Sequence, residues 1–272
     1  MNHRPVEDGA GLPRIAWMLW FQGWDAAPDV ARACLDNVRC ANPDWRVVAL
    51  DADNLRDHLP SETLDWIDAL PATPTGRSNL VRLLLLQRHG GVWLDATCLC
   101  ATPLDAWIHD LAGSGFFAFT SPASGNALAT WFLASRPDAT IVNAWLAAAL
   151  CYWNGRGTAH DYFWVQPLFA DLIAYHPTVR SAWSRVPSVT AAHRFHFGPN
   201  AVRLPAPPYP PDIAGLAAPP APIFKLTSKL SDDFAADSLM RQLLDLDPHD
   251  AGRVAYVMDW ARGTRTSVEV AA

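Results

Sequence analysis

The apolar residues of this chain fall in unbroken runs more often than in alternation. Ile15 to Phe21 reads Ile-Ala-Trp-Met-Leu-Trp-Phe, with no polar position. That is too continuous for a strand with one wet face, and it predicts a central strand buried on both sides, ended by Gly23. After Pro28, Val30, Cys34 and Val38 recur every four residues and predict a helix closing near Asn42 and Pro43. Trp45 to Leu50 reads as a second strand, and Asp51 or Asp53 caps a short helix after it. This strand–helix–strand–helix order is a βαβ unit, the kind of unit that places ligands at the carboxyl ends of parallel strands.

Further along, Ser78 to His89 is the clearest helix, with Ser78 as N-cap and Gly90-Gly91 as its stop. Val92 to Leu94 is a short strand, with Asp95 where it ends, and Phe116 to Phe119 is another. Residues 126–185 read as helical, with a kink or break at Pro167. Eight prolines between Pro205 and Pro222 predict an extended surface loop. Ile223 to Leu230 alternates as a strand, and Ser231 caps a final helix through Leu246. The expectation is one α/β domain over residues 12–246, a mostly parallel, Rossmann-like sheet flanked by helices with a helical insertion, followed by a tail over 247–272. No internal repeat is visible.

Composition narrows the class. With 50% hydrophobic and 18% charged residues the 272-residue chain is globular. Its formal charge of −6, without a Lys/Arg cluster, argues against nucleic acid as a partner. The longest apolar stretch, Ala144 to Trp153, is half of what a membrane helix needs. The residues before Gly11 lack the apolar core of a secretory signal, so a soluble, cytoplasmic protein is expected. Five scattered cysteines fit reduced thiols, and Cys98 and Cys100 read as two small buried side chains of one strand. Thirteen tryptophans supply core, and also flat surfaces for stacking.

Candidate chemistry gathers around Asp95. A carboxylate at the end of a buried parallel strand faces the crevice where such sheets hold ligands, and it can take a divalent cation or ribose hydroxyls. Arg82 lies one turn beyond Ser78 and, with Asn79, can point to the same crevice. The plain alternative is that Asp95 begins a turn and Arg82 is a surface charge. Lys225, Thr227 and Lys229 share one face of an alternating strand, which on its own reads as a solvated strand face. No glycine-rich phosphate loop or nucleophile motif is present, which speaks against a nucleotide hydrolase.

Four stretches, in order, carry a resemblance: Leu12 to Gly23, the helix–GlyGly–strand block of residues 78–97, Asp161-Tyr162-Phe163, and Ile223 to Lys229. The sequence resembles the capsular-polysaccharide-synthesis type of sugar transferase, related to the DxD-containing family 32 mannosyltransferases and the clostridial glucosylating toxins. The resemblance implies a GT-A-type nucleotide-binding fold and a retaining glycosyltransferase of bacterial capsular or surface polysaccharide assembly. The donor would be a nucleotide-diphosphate sugar of UDP or GDP type, and the acceptor a saccharide or lipid-linked saccharide at the inner face of the membrane.

By resemblance, Trp20 stacks on the nucleobase, the alternative being a core role, which suits Trp17 better. Arg82 orders ribose and donor sugar, and Asp95 is the first acid of the DxD motif. Asn126 matches an asparagine after the central strands, and Lys225 and Lys229 lie in the late Lys-Leu-Thr-x-Lys segment. Asp161, His193 and His196 are weaker candidates for donor or acceptor contacts. Two departures stand out. Asn79 replaces an acid, and Thr97 stands where the second DxD acid would bind Mn²⁺ or Mg²⁺, a hydroxyl being a weaker ligand than a carboxylate. These departures favour a rival reading, a degenerate nucleotide-sugar-binding protein of the same fold.

Overall fold

A computed structural model describes residues 11–120, 127–189, 223–228, 239–250 and 252–253. Five strands form the main sheet in the order β2-β1-β3-β6-β5. They are β1 (Ile15–Leu19), β2 (Arg46–Leu50), β3 (Gly91–Leu94), β5 (Phe116–Ala118) and β6 (Phe132–Ser135). Strand β1 pairs in parallel with both β2 and β3, while β6 runs antiparallel to β3 and β5. Four of the five strands therefore point the same way. A second, two-stranded antiparallel sheet joins β4 (Cys98–Cys100) to β7 (Ile223–Lys225).

Both faces of the main sheet are covered. Alternate residues of β1 and β3 enter separate cores: Ala16, Met18, Val92 and Leu94 on one side, Trp17, Leu19 and Trp93 on the other. This double burial is why both strands read as continuous apolar runs. Helix α1 (Asp29–Ala41) and the β4–β7 sheet pack on the first face; α2 (Ser61–Ala69) and α3 (Pro74–His89) pack on the second. With α3 lie α5 (Thr140–Trp153), α6 (Val165–Tyr175) and α7 (Pro177–Trp183); the short α4 (Ile108–Leu111) and α8 (Leu239–Leu244) complete the helices of the described residues. Trp17 is core, fully buried, its indole donating to Gly90 O at 2.9 Å.

The chain leaves β1 through α1 on one face to reach β2, then returns through α3 on the other face to β3. The winding reverses between β1 and β3, and a crevice opens at the carboxyl ends of strands where that happens. The Gly-Gly pair is what lets β3 start there. Gly91 has φ +91°, and a Cβ on it would lie 2.4 Å from Ile15 O.

Several expectations need correction. Helix α3 begins at Pro74 with Thr73 as N-cap, its hydroxyl accepting from Gly76 N, whereas the Ser78 hydroxyl donates to Thr75 O. Residues 126–185 are not wholly helical, because Phe132–Ser135 forms β6 in the centre of the sheet. Pro167 does not kink its helix: it occupies the first turn of α6, where its missing N–H has no partner to lose. Strand β7 stops at Lys225 rather than Leu230. The proline loop of 205–222 and the start of the final helix at Ser231 lie outside the described residues.

Candidate functional site

The crevice at the ends of β1 and β3 holds a cleft of about 340 Å³. Trp20 and Phe21 continue β1 into its wall, Thr75, Ser78 and Arg82 come from one stripe of α3, Trp93 lies in β3, and Asp95 and Thr97 follow it. Tyr162 and Lys225 close it from distant parts of the chain.

Arg82 is buried in the floor, its side chain 4% exposed. The guanidinium is fixed by its own helix and the neighbouring loop. Nε donates to Ser78 O at 3.2 Å, Nη2 to Ser78 Oγ at 3.1 Å, and Nη1 to Thr130 O. It also lies over the Trp93 ring, 4.9 Å from the centroid, a cation–π geometry. Burial lowers its pKa from the usual arginine value, with Asp95 opposing that shift; an arginine still keeps its charge. A charge so held is costly unless paired, and Asp95 Oδ1 faces it at 3.4 Å.

Asp95 is the carboxylate of the cleft lining. Trp93 Nε1 donates to its Oδ1 at 3.0 Å, and its backbone N–H donates to Trp131 O at 2.9 Å. Lys225 Nζ lies 4.0 Å from Asp95 Oδ2 and donates to Thr97 Oγ1 and, at 3.2 Å, to Leu226 O.

The five candidates Trp20, Arg82, Asp95, Thr97 and Lys225 therefore meet in one cleft. Trp20 is half-buried, packed beside Ala27, Ala31 and Ala96. Asn79 is buried on α3 and is not part of the lining. Asp161 is exposed, its carboxylate accepting from Phe163 N at 2.8 Å, and it is the adjoining Tyr162 that reaches the cleft. Asn126, His193, His196 and Lys229 lie outside the described residues. Trp93 was not singled out from sequence, although the signal was there: residues 93 and 95 share a face on an extended chain.

A divalent cation takes hard oxygen ligands, carboxylates foremost, and this lining offers one. The second candidate ligand, Thr97 Oγ1, accepts from Lys225, whose ammonium would repel a dication placed on Asp95. The residues present do not fit a divalent-cation site. Among the described residues no group of three or more His, Cys, Asp and Glu side chains could hold a metal either. No helix of the described residues is long and apolar enough to cross a membrane.

A family model described as capsular polysaccharide synthesis protein matches residues 5–243. The chain is 28% identical over 193 residues to the glycosyltransferase afumC of Aspergillus fumigatus, covering 64% of this chain and 49% of that protein. It is 27% identical over 134 residues to an uncharacterized glycosyltransferase of Acanthamoeba polyphaga mimivirus, covering 47% of this chain and 51% of that protein. The chain spans about half the length of these curated relatives. Among solved structures, the PaToxG glycosyltransferase aligns at a TM-score of 0.45 and 15% identity, over 64% of this chain and 75% of that one.

Proposed function

The chain belongs to the capsular polysaccharide synthesis protein family, and on that premise we propose that it is a retaining glycosyltransferase of GT-A type. It moves a sugar from a nucleotide-diphosphate sugar, of UDP or GDP type, to a saccharide or lipid-linked acceptor in bacterial capsular or surface polysaccharide assembly. The work is done at the cytoplasmic face of the membrane.

The observation that carries this reading is the charge of the cleft. Two cationic side chains, Arg82 and Lys225, stand around one carboxylate, Asp95. The excess positive charge suits an anion, and half-buried Trp20 in the lining supplies an aromatic ring on which a base can stack. In this reading Lys225 binds the diphosphate, with Lys229 and Asn126 completing the donor site, and Arg82 holds Asp95 in place while adding its field. Asp95 accepts hydrogen bonds from ribose or sugar hydroxyls. The acceptor oxygen bonds to the anomeric carbon as the bond to the diphosphate oxygen breaks. The bonding pair leaves on the diphosphate, and the acceptor's proton follows it to a phosphate oxygen. Cations beside that oxygen stabilise the charge it gains.

The rival, a nucleotide-sugar-binding protein without transfer, draws on Asn79 and Thr97 in place of acids, and on Asp95 being already engaged by Trp93 and faced by Arg82. A thermal-shift screen against UDP, GDP, CMP and dTDP tests the donor site. A nucleotide at about 100 times its Kd stabilises by about 2.7 kcal/mol. The expected result is a shift with one diphosphate that disappears in Arg82→Ala, and the absence of any shift sinks the assignment. Transfer that survives Asp95→Ala would remove Asp95 from the reaction, and binding without transfer over a broad acceptor panel would favour the rival.

A further inference from the structure

We propose that Lys225 takes the place of a divalent cation in the donor site, so that the diphosphate is bound by side-chain charge alone. The inference rests on the donor-site reading above and concerns what neutralises the phosphates there.

Three observations converge on it. First, the ammonium stands between the two positions a metal would use, hydrogen-bonded to Thr97 Oγ1 and 4.0 Å from Asp95 Oδ2. A threonine hydroxyl is a poor ligand for a hard cation but a good acceptor for an ammonium. Thr97 in place of an acid and Lys225 opposite it are two halves of one exchange.

Second, the lysine is held by backbone. In the β4–β7 ladder Lys225 is paired with Cys98, and Leu226 N donates to Thr97 O at 2.8 Å directly after it. Phe224 and Leu226 on either side are buried. The Lys225 side chain lines the cleft and is only 18% exposed, so its charge is held in place in advance of any ligand.

Third, the donors are not used up. An ammonium has three hydrogens. Two go to Thr97 Oγ1 and Leu226 O, and Asp95 Oδ2 at 4.0 Å is beyond hydrogen-bond reach of the third. That hydrogen remains for an oxygen of the ligand. Lys225 and Arg82 together carry the two positive charges that a divalent ion would have supplied.

The test is titration calorimetry with UDP, GDP and inorganic pyrophosphate, each in EDTA and in excess Mg²⁺, on the wild-type chain, Lys225→Met and Lys225→Arg. Wild-type affinity for the tightest of the three is expected to differ by less than about threefold between EDTA and Mg²⁺. Lys225→Met should weaken it in EDTA by about tenfold or more, the loss of one charge-assisted hydrogen bond, and Lys225→Arg should restore most of it. Wild-type binding that requires Mg²⁺ overturns the inference without need of any variant, as does unchanged binding by Lys225→Met in EDTA. If pyrophosphate binds through Lys225 while UDP and GDP bind no better, the lysine's role stands and the nucleotide-donor reading falls. If none of the three binds in either buffer, both fall.

Discussion

Trp93 Nε1 donates to Asp95 Oδ1 across 3.0 Å, so the indole of one strand residue sets the carboxylate two positions further on. The same ring carries the Arg82 guanidinium on its face. A single aromatic side chain thereby touches both members of the ion pair, the buried Arg82 and the partly exposed Asp95.

Trp93→Phe separates these two duties, keeping an aromatic face and deleting the N–H. The expected outcome is a melting temperature within a few degrees of wild type and about tenfold weaker binding of the preferred nucleoside diphosphate, the effect of losing one hydrogen bond to a charged group. Calorimetry on the folded variant measures it, and undiminished affinity would show that Asp95 needs no help from Trp93.

Arg82→Lys keeps the charge but not the fork that reaches Ser78, Thr130 and Asp95 at once. A lysine there gives up hydrogen bonds from a charged donor to partly buried acceptors, at a cost of about 1.5–3 kcal/mol. Thermal denaturation should show a fall of several degrees, accompanied by loss of diphosphate binding. A variant as stable as wild type would mean that the guanidinium geometry is dispensable.

Gly91→Ala forces a methyl to 2.4 Å from Ile15 O at φ +91°, in the middle of the sheet. Loss of at least about 3 kcal/mol is expected, enough to show as reduced soluble yield. Gly155→Ala is the comparison: φ is +71° there, but nothing lies within 4 Å of the new methyl. Only the backbone preference of about 1–2 kcal/mol should be lost. Equal melting temperatures for the two variants would refute the contact argument.

Burial pushes the Cys34 and Cys100 thiols up to about 12 and the Cys98 thiol well above its ordinary value. Thiolate is the nucleophile, so these three should not react in the native state at neutral or mildly alkaline pH. Iodoacetamide should add two groups to the native chain, at exposed Cys40 and Cys151, and five after denaturation. Intact mass reports the count, and early labelling of Cys98 would contradict the packing of β4.

The parts of the fold legible in the sequence were those whose burial is two-sided or strictly periodic. Ile15 to Phe21 and Val92 to Leu94 announce strands because Ala16 to Leu19 and Val92 to Leu94 are buried on both faces of the sheet, and α1 announces itself through Val30, Cys34 and Val38. Strand β6 does not. Phe-Leu-Ala-Ser is four buried residues with no period of its own, and beside the long apolar runs that follow it reads as helix. Helix α3 was recognised but started late, since Thr73 and Pro74 precede its apolar stripe by a turn. In the cleft, Asp95 and Arg82 followed from strand end and helix spacing. That Lys225 touches Thr97, 128 positions away, has no local signature: it depends on the antiparallel register of a two-stranded sheet, which the sequence does not display.

That distance also bears on when the cleft acquires its character. Synthesis delivers Trp20, Arg82, Trp93 and Asp95 within the first hundred residues, while the β7 strand with Lys225 emerges long afterwards. Until then Arg82 and Asp95 cancel, and the pocket of the nascent chain is formally neutral. Docking of β7 against β4 adds the Lys225 charge, so the net positive charge of the cleft depends on a strand made long after Arg82 and Asp95.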